Sequence, residues 1–140
     1  MTVAQKRPEF RNINALKDLP GYSLPAPGWV SILHRISGVL MFVLLPLIIW
    51  MFDTSISSEI SFARFRHAFE NGAAGVLLKL VALSLIWAYL HHFIAGVRHV
   101  WMDVSHKAVS KSFGSSSAKF TLVSSLVLTV ILGAKLFGLY

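Results

Sequence analysis

The segment "IWAYLHHFIAGVRHVWMD", Ile86 to Asp103, places His91, His92, Arg98 and His99 in a run that is otherwise almost wholly apolar. An imidazole can ligate a metal, carry a proton or make a polar contact between helices. His91 and His92 are the deepest ionisable groups of the chain, His92 standing about 9 Å of helical rise before Arg98. Such groups inside an apolar helix are costly and mark candidate sites. Ala95 and Gly96 follow His92 at helical spacing on its own face and leave room for something broad and flat. His99, two turns on, returns to that face nearer the helix end. A flat apolar body that takes an imidazole below and cations above is a haem b, with iron on His92 and propionates near Arg98 and His99. Adjacent helical residues point about 100° apart, so His91 and His92 cannot share one iron. His91 reads instead as a polar contact at a helix interface. A six-coordinate haem then needs its second axial ligand from another chain.

A second stretch, "SILHRISG" from Ser31 to Gly38, sets a hydroxyl and a cation on one helical face, since Ser31 and Arg35 are one turn apart. Gly38 continues that face and permits close approach. A hydroxyl donor and a cation at the mouth of an apolar cleft suit a membrane-soluble carbonyl compound, a quinone. The bland alternative for Arg35 is a cation that snorkels to the interface and fixes topology. His34 points about 100° away from Arg35, toward the space assigned to the propionates.

The elements that must hold these groups are membrane helices. Hydrophobic residues make up 55% of the 140-residue chain and charged residues 14%, well below the usual quarter or so. Ile36–Phe52, Leu80–Val97 and Phe120–Ala134 carry no Asp, Glu, Lys or Arg; with their flanks each reaches the roughly 20 residues that a bilayer requires. The reading is an all-α membrane protein with three transmembrane helices, spans about 29–52, 73–103 and 118–138, after an N-terminal arm, 1–28, punctuated by Pro8, Pro20, Pro25 and Pro27. A short helix is expected around "FRNINAL", a kink at Pro46, a short amphipathic helix from Phe62 to Phe69, and a polar linker at "SKSFGSSS". Three helices are few to enclose a site, so a partner membrane chain is expected. The net charge of +7 sits between spans rather than on one basic face, which argues against nucleic acid. No cysteine is present, which excludes thiolate-held clusters in this chain.

Together, "SILHRISGV" and "HHFIAGVRHVWMD" resemble the two signatures of the cytochrome b subunit of bacterial succinate dehydrogenase, the larger of its two small membrane anchors. One signature is Ser, two residues, His-Arg, one residue, then Ser or Thr. The other is His, three residues, Gly, an aliphatic, Arg-His, and Asp four residues later. The resemblance implies a subunit of succinate:quinone oxidoreductase, respiratory complex II. The subunit would sit in the bacterial cell inner membrane, in a helical bundle with a second small anchor subunit. An iron–sulfur subunit and a flavoprotein subunit complete the complex, and the flavoprotein, not this chain, oxidises succinate. It implies one haem b shared with the second anchor, His92 as axial ligand, and His34, Arg35 and His99 as propionate contacts. It also implies Ser31 and Arg35, with Ile32 packed beside them, as part of a ubiquinone site. No residue of this chain is then catalytic in the sense of turning over succinate. Asp103 is expected to pair with Arg98 or to relay protons. The alternative from another class is a non-redox membrane anchor or transporter subunit with structural intramembrane histidines.

Charge asymmetry predicts orientation. The N-terminal segment carries Lys6, Arg7, Arg11, Lys17 and Arg35 against Glu9 and Asp18. The second loop carries Arg98, Lys107, Lys111 and Lys119 against Asp103, whereas the first has Arg64 and Arg66 against Asp53, Glu59 and Glu70. The N-terminus and second loop are therefore expected to be cytoplasmic, the first loop and C-terminus periplasmic. A cysteine at Ser57 should react with an impermeant thiol reagent in intact spheroplasts and one at Ser115 should not; the reverse labelling overturns the orientation.

Overall fold

The computed structural model describes residues 14–18 and 21–140. Most of the helix expected around "FRNINAL" lies outside the described residues, as do Pro8 and Pro20 of the arm. Ala15–Asp18 form a single turn, α1, in which the Asn14 N–H donates to Asp18 Oδ2 at 2.8 Å.

The helix α2, Ala26–Val43, opens on Pro25 and Pro27, residues tolerated in a first turn because that turn's N–H groups have no helical partner anyway. It stops at Leu44, and α3 runs from Leu45 to Ile56 with Pro46 in its first turn. Pro46 has no N–H to give the Phe42 carbonyl, and its ring crowds that same carbonyl. The kink expected in the first span therefore appears as a break between two helices. Another short helix, α4, Glu59–Glu70, starts with a reciprocal cap: the Ser61 N–H donates to Ser58 Oγ at 3.1 Å and the Ser58 N–H to Ser61 Oγ at 2.9 Å. This helix contains the expected amphipathic segment, with Phe65 and Phe69 turned inward 5.0 Å apart. Gly72, at φ 49°, turns the chain into α5, Gly72–Val104. At 1.5 Å per residue α5 is about 50 Å long, well beyond a hydrocarbon core of about 30 Å.

A 3-10 turn, His106–Val109, leads into α6, Lys111–Leu136. Here the expectation of a linker fails: "SKSFGSSS" forms the first turns of the helix. Gly and Ser are weak helix formers, but Arg98 of α5 bonds to this segment at two points, Ser117 Oγ at 3.0 Å and the Gly114 carbonyl at 3.1 Å. A tertiary anchor overrides the local preference.

The core runs along contacts of small residues. From α6, Ala118, Thr121, Ser125, Thr129 and Gly133 are buried; from α5, Leu85, Ala88, His91 and Ala95; from α2, Val30 and Ser37. Without a water-driven hydrophobic force inside a bilayer, small side chains that let backbones approach are what hold membrane helices together. The hydroxyls of this stripe are satisfied within their own helix: Thr121 donates to the Ser117 carbonyl, Ser125 to Leu122 and Thr129 to Ser125. The large apolar side chains face outward, Phe42 at 77% exposure and Phe120 at 69%. This pattern suits lipid and not water. Three helices, Ala26–Val43, Gly72–Val104 and Lys111–Leu136, are long and apolar enough to cross a membrane. The fold is an all-α membrane protein.

Gly75 is buried where α4 meets α5, and a Cβ added there would lie 2.6 Å from the Phe69 carbonyl oxygen and 2.9 Å from its carbon. Because the obstacle is backbone, no rotamer change relieves it. Gly75→Ala should destabilise the purified protein by about 1–3 kcal/mol, whereas Gly114→Ala, which meets nothing within 4 Å, should be neutral or stabilising. Thermal unfolding in detergent followed by tryptophan fluorescence measures both; equal midpoints for the two variants would contradict the packing described.

Candidate functional site

The sequence-predicted residues converge where α2 crosses α5. His92, half-buried, points its Nδ1 at the main-chain oxygen of His34, 3.0 Å away. A carbonyl oxygen can only accept, so Nδ1 carries the proton and Nε2 keeps the lone pair. No hydrogen bond among the described residues uses that Nε2. Ser37, fully buried, donates its hydroxyl to the same His34 oxygen at 2.8 Å, and its Oγ lies 3.3 Å from His92 Nδ1. The His34 ring stacks on His92 with centroids 4.1 Å apart and planes 19° from parallel, and the His99 ring lies 5.2 Å from that of His34. Three of the expected haem-side residues thus form one cluster.

The small-residue clearing is partly as expected. Gly96 borders an open groove of about 480 Å³ beside His92, lined otherwise by Phe93, Val97, Val100, Trp101 and Val104. Ala95 instead turns into the core against Val30 and Ala118. A haem b asks this chain for a neutral imidazole whose distal nitrogen is held and whose Nε2 is free beside an apolar slot. His92 and its groove fit that demand. Among the described residues no group of three or more His, Cys, Asp or Glu is placed to hold an ion.

His91 faces the other way. It is fully buried, with Nδ1 3.2 Å from Ser125 Oγ and its ring stacked on Trp87 at 5.5 Å. Ser125 already donates to the Leu122 carbonyl, so Nδ1 of His91 is the donor in that pair. Its Nε2 is enclosed without a hydrogen-bond partner among the described residues. His91 is the interhelical contact expected, between α5 and α6.

The two cations of the site stand in different surroundings. Arg98 gives its Nε hydrogen and one Nη2 hydrogen to Ser117 and Gly114 of α6, which leaves three of the five guanidinium donors for another acceptor. The expected Arg98–Asp103 pair does not form; Arg66–Glu70, at 3.4 Å, is the ion pair found among the described residues. Five helical positions separate Arg98 from Asp103, which sets their side chains about 140° apart while Arg98 faces α6. On α2, Ser31 and Ile32 are half-buried and Arg35, one turn after Ser31, is exposed. Sequence reasoning gave no role to Ser37, although its position three residues after His34 is that of a hydroxyl bonding back to a helical carbonyl.

The succinate dehydrogenase/fumarate reductase transmembrane subunit family matches residues 11–132. The succinate dehydrogenase cytochrome b556 subunit of Coxiella burnetii (strain RSA 493 / Nine Mile phase I) is 32% identical over 117 residues, 83% of this chain and 90% of that protein. The subunit of the same name from Paracoccus denitrificans is 27% identical over 111 residues, 79% of this chain and 81% of the relative. That of Rickettsia felis (strain ATCC VR-1525 / URRWXCal2) is 23% identical over 111 residues, 79% and 82% respectively. With three membrane-crossing helices and a match that runs through all of them, this chain belongs to the succinate dehydrogenase/fumarate reductase transmembrane subunit family.

Proposed function

We propose that this chain is the membrane-anchor cytochrome b subunit of a succinate:quinone oxidoreductase, holding one haem b jointly with a second anchor subunit and forming part of the quinone site. The observation that carries the reading is the His92 imidazole: proton on Nδ1, bonded to His34, and Nε2 free beside the apolar groove. When bound, the haem supplies a one-electron carrier next to the quinone pocket. His92 would hold its iron, and the groove's open side would be closed by the partner, which would supply the second ligand. His34 and His99 stand on the His92 cluster and are assigned to the propionates, with Arg35. Arg98 would join them through the guanidinium donors that its α6 bonds leave unused.

On α2, Ser31 would donate its hydroxyl to a quinone carbonyl or to a water bound there, Arg35 would present its guanidinium beside it, and Ile32 would pack against the ring. The exposure of Arg35 and its freedom from hydrogen bonds among the described residues leave its donors available for a ligand. Succinate oxidation itself belongs to a flavoprotein, with an iron–sulfur subunit between it and the membrane. In the inner membrane the N-terminus would be cytoplasmic, which puts Ser31 and Arg35 near the face where those soluble subunits dock.

Two experiments test the reading. In the assembled complex, His92→Ala should abolish or convert the low-spin bis-imidazole absorbance and EPR signals, while His91→Ala should largely preserve them. A complex with no haem absorbance at all would leave only a non-redox anchor. For the quinone site, Ser31→Ala should slow succinate-driven quinone reduction about fivefold, the effect of about 1 kcal/mol. Arg35→Lys should slow it as well, because a point cation does not reproduce the planar fork. Reduction of an artificial acceptor that draws electrons from the soluble subunits should be nearly unchanged. An unchanged ratio of the two activities for both variants would return Ser31 and Arg35 to topology and packing.

A further inference from the structure

The Ser37 hydroxyl takes no part in the site as proposed, yet it is fully buried against the candidate iron ligand. Three donors converge on the His34 carbonyl. One is the regular helical N–H of Gly38, one is Ser37 Oγ–H at 2.8 Å, and one is His92 Nδ1–H at 3.0 Å. A carbonyl oxygen has two lone pairs, so the donors compete. Electron density that the oxygen lends to Ser37 is withheld from His92. The strength of the bond to Nδ1–H governs how basic the opposite nitrogen is, and partners of this kind tune a ligated metal as well as orienting the ring. Gly38 completes the cradle: a Cβ there would lie 3.0 Å from His92 Cε1 and 3.3 Å from Nδ1. The ring edge therefore rests against bare backbone.

We infer that Ser37 and Gly38 are positioning residues for the haem ligand, Ser37 by weakening the His34–His92 hydrogen bond and so raising the haem's reduction potential, Gly38 by fixing the ring's tilt. The inference rests on His92 as iron ligand. It gives a function to the part of "HRISG" that neither the quinone nor the propionates use. It also ties the electronic state of the ligand to the same helix, α2, that carries Ser31 and Arg35. The Ser37 oxygen also sits 3.3 Å from Nδ1 as a second acceptor, which would act in the opposite sense. At 3.3 Å that contact is at the weak end for a hydrogen bond, whereas the 2.8 Å bond to the carbonyl is a full one.

The test is a spectroscopic redox titration of the haem in the purified, assembled complex, with EPR of the oxidised low-spin signal. Ser37→Ala should keep the haem and shift its midpoint potential downward, and Ser37→Thr, which restores the hydroxyl, should return it to the wild-type value. Ser125→Ala removes an equally buried hydroxyl that touches His91 and not His92, and should leave the potential unmoved. Gly38→Ala should alter the low-spin g values by turning the ring. A Ser37→Ala potential equal to wild type, an upward shift, or an equal shift in Ser125→Ala overturns the role of Ser37; unaltered g values in Gly38→Ala overturn the cradle. Retention of the low-spin haem by His92→Ala is a separate result. It rejects the ligand assignment and removes the basis of this inference with it.

Discussion

A main-chain oxygen on one membrane helix, that of His34, holds a ring nitrogen on another, Nδ1 of His92, at 3.0 Å. That bond is possible because the two backbones come very close: the facing residue one turn after His34 is Gly38, where even a methyl group would press on the imidazole. In a bilayer there is no water to satisfy a displaced histidine. The same contact therefore fixes the helix crossing, the rotation of α5 about its axis and the tautomer of His92. The remaining site residues take their places from it. His34 stacks on the held ring, His99 comes alongside, Ser31 lies about one turn back along α2 and Arg35 directly follows His34.

The adjacent histidines show how little sequence distance means on a helix. His91 and His92 are neighbours with the same chemistry. A rotation of about 100° sends one into the seam with α6, against Ser125 and Trp87, and the other to the crossing with α2 beside an open groove. The buried small residues of α6, from Ala118 to Gly133, set that rotation from the opposite side. Arg98 bolts the start of α6 to α5 and draws a glycine- and serine-rich segment into helix. The two seams leave the groove beside His92 facing outward. Outward-facing apolar side chains are expected in lipid; the groove differs from them in having an imidazole at its base.

Much of this protein was written in its sequence. Three uncharged runs in 140 residues point to membrane helices, in which backbone groups are bonded within the segment. Pro46 marked a kink in the first of them, since it lacks a donor, and the packed chain made it a break between α2 and α3. Helical spacing put Gly96 and His99 with His92 and separated His91 from it, and the two short signatures carried the family. What the sequence could not determine was which partner each polar group would choose. Arg98 had Asp103 within a few residues and bonded to α6 instead, because direction around the helix, not separation along the chain, decides reach. Ala95 has the size of a clearing residue but faces the core. Ser37, the second side-chain donor on the His34 carbonyl, stood in the sequence as the last residue of the first signature, with no partner to be read beside it. Its contact with His92, 55 positions away, exists only once two helices have been brought to van der Waals distance, and that approach is a property of the packed bundle.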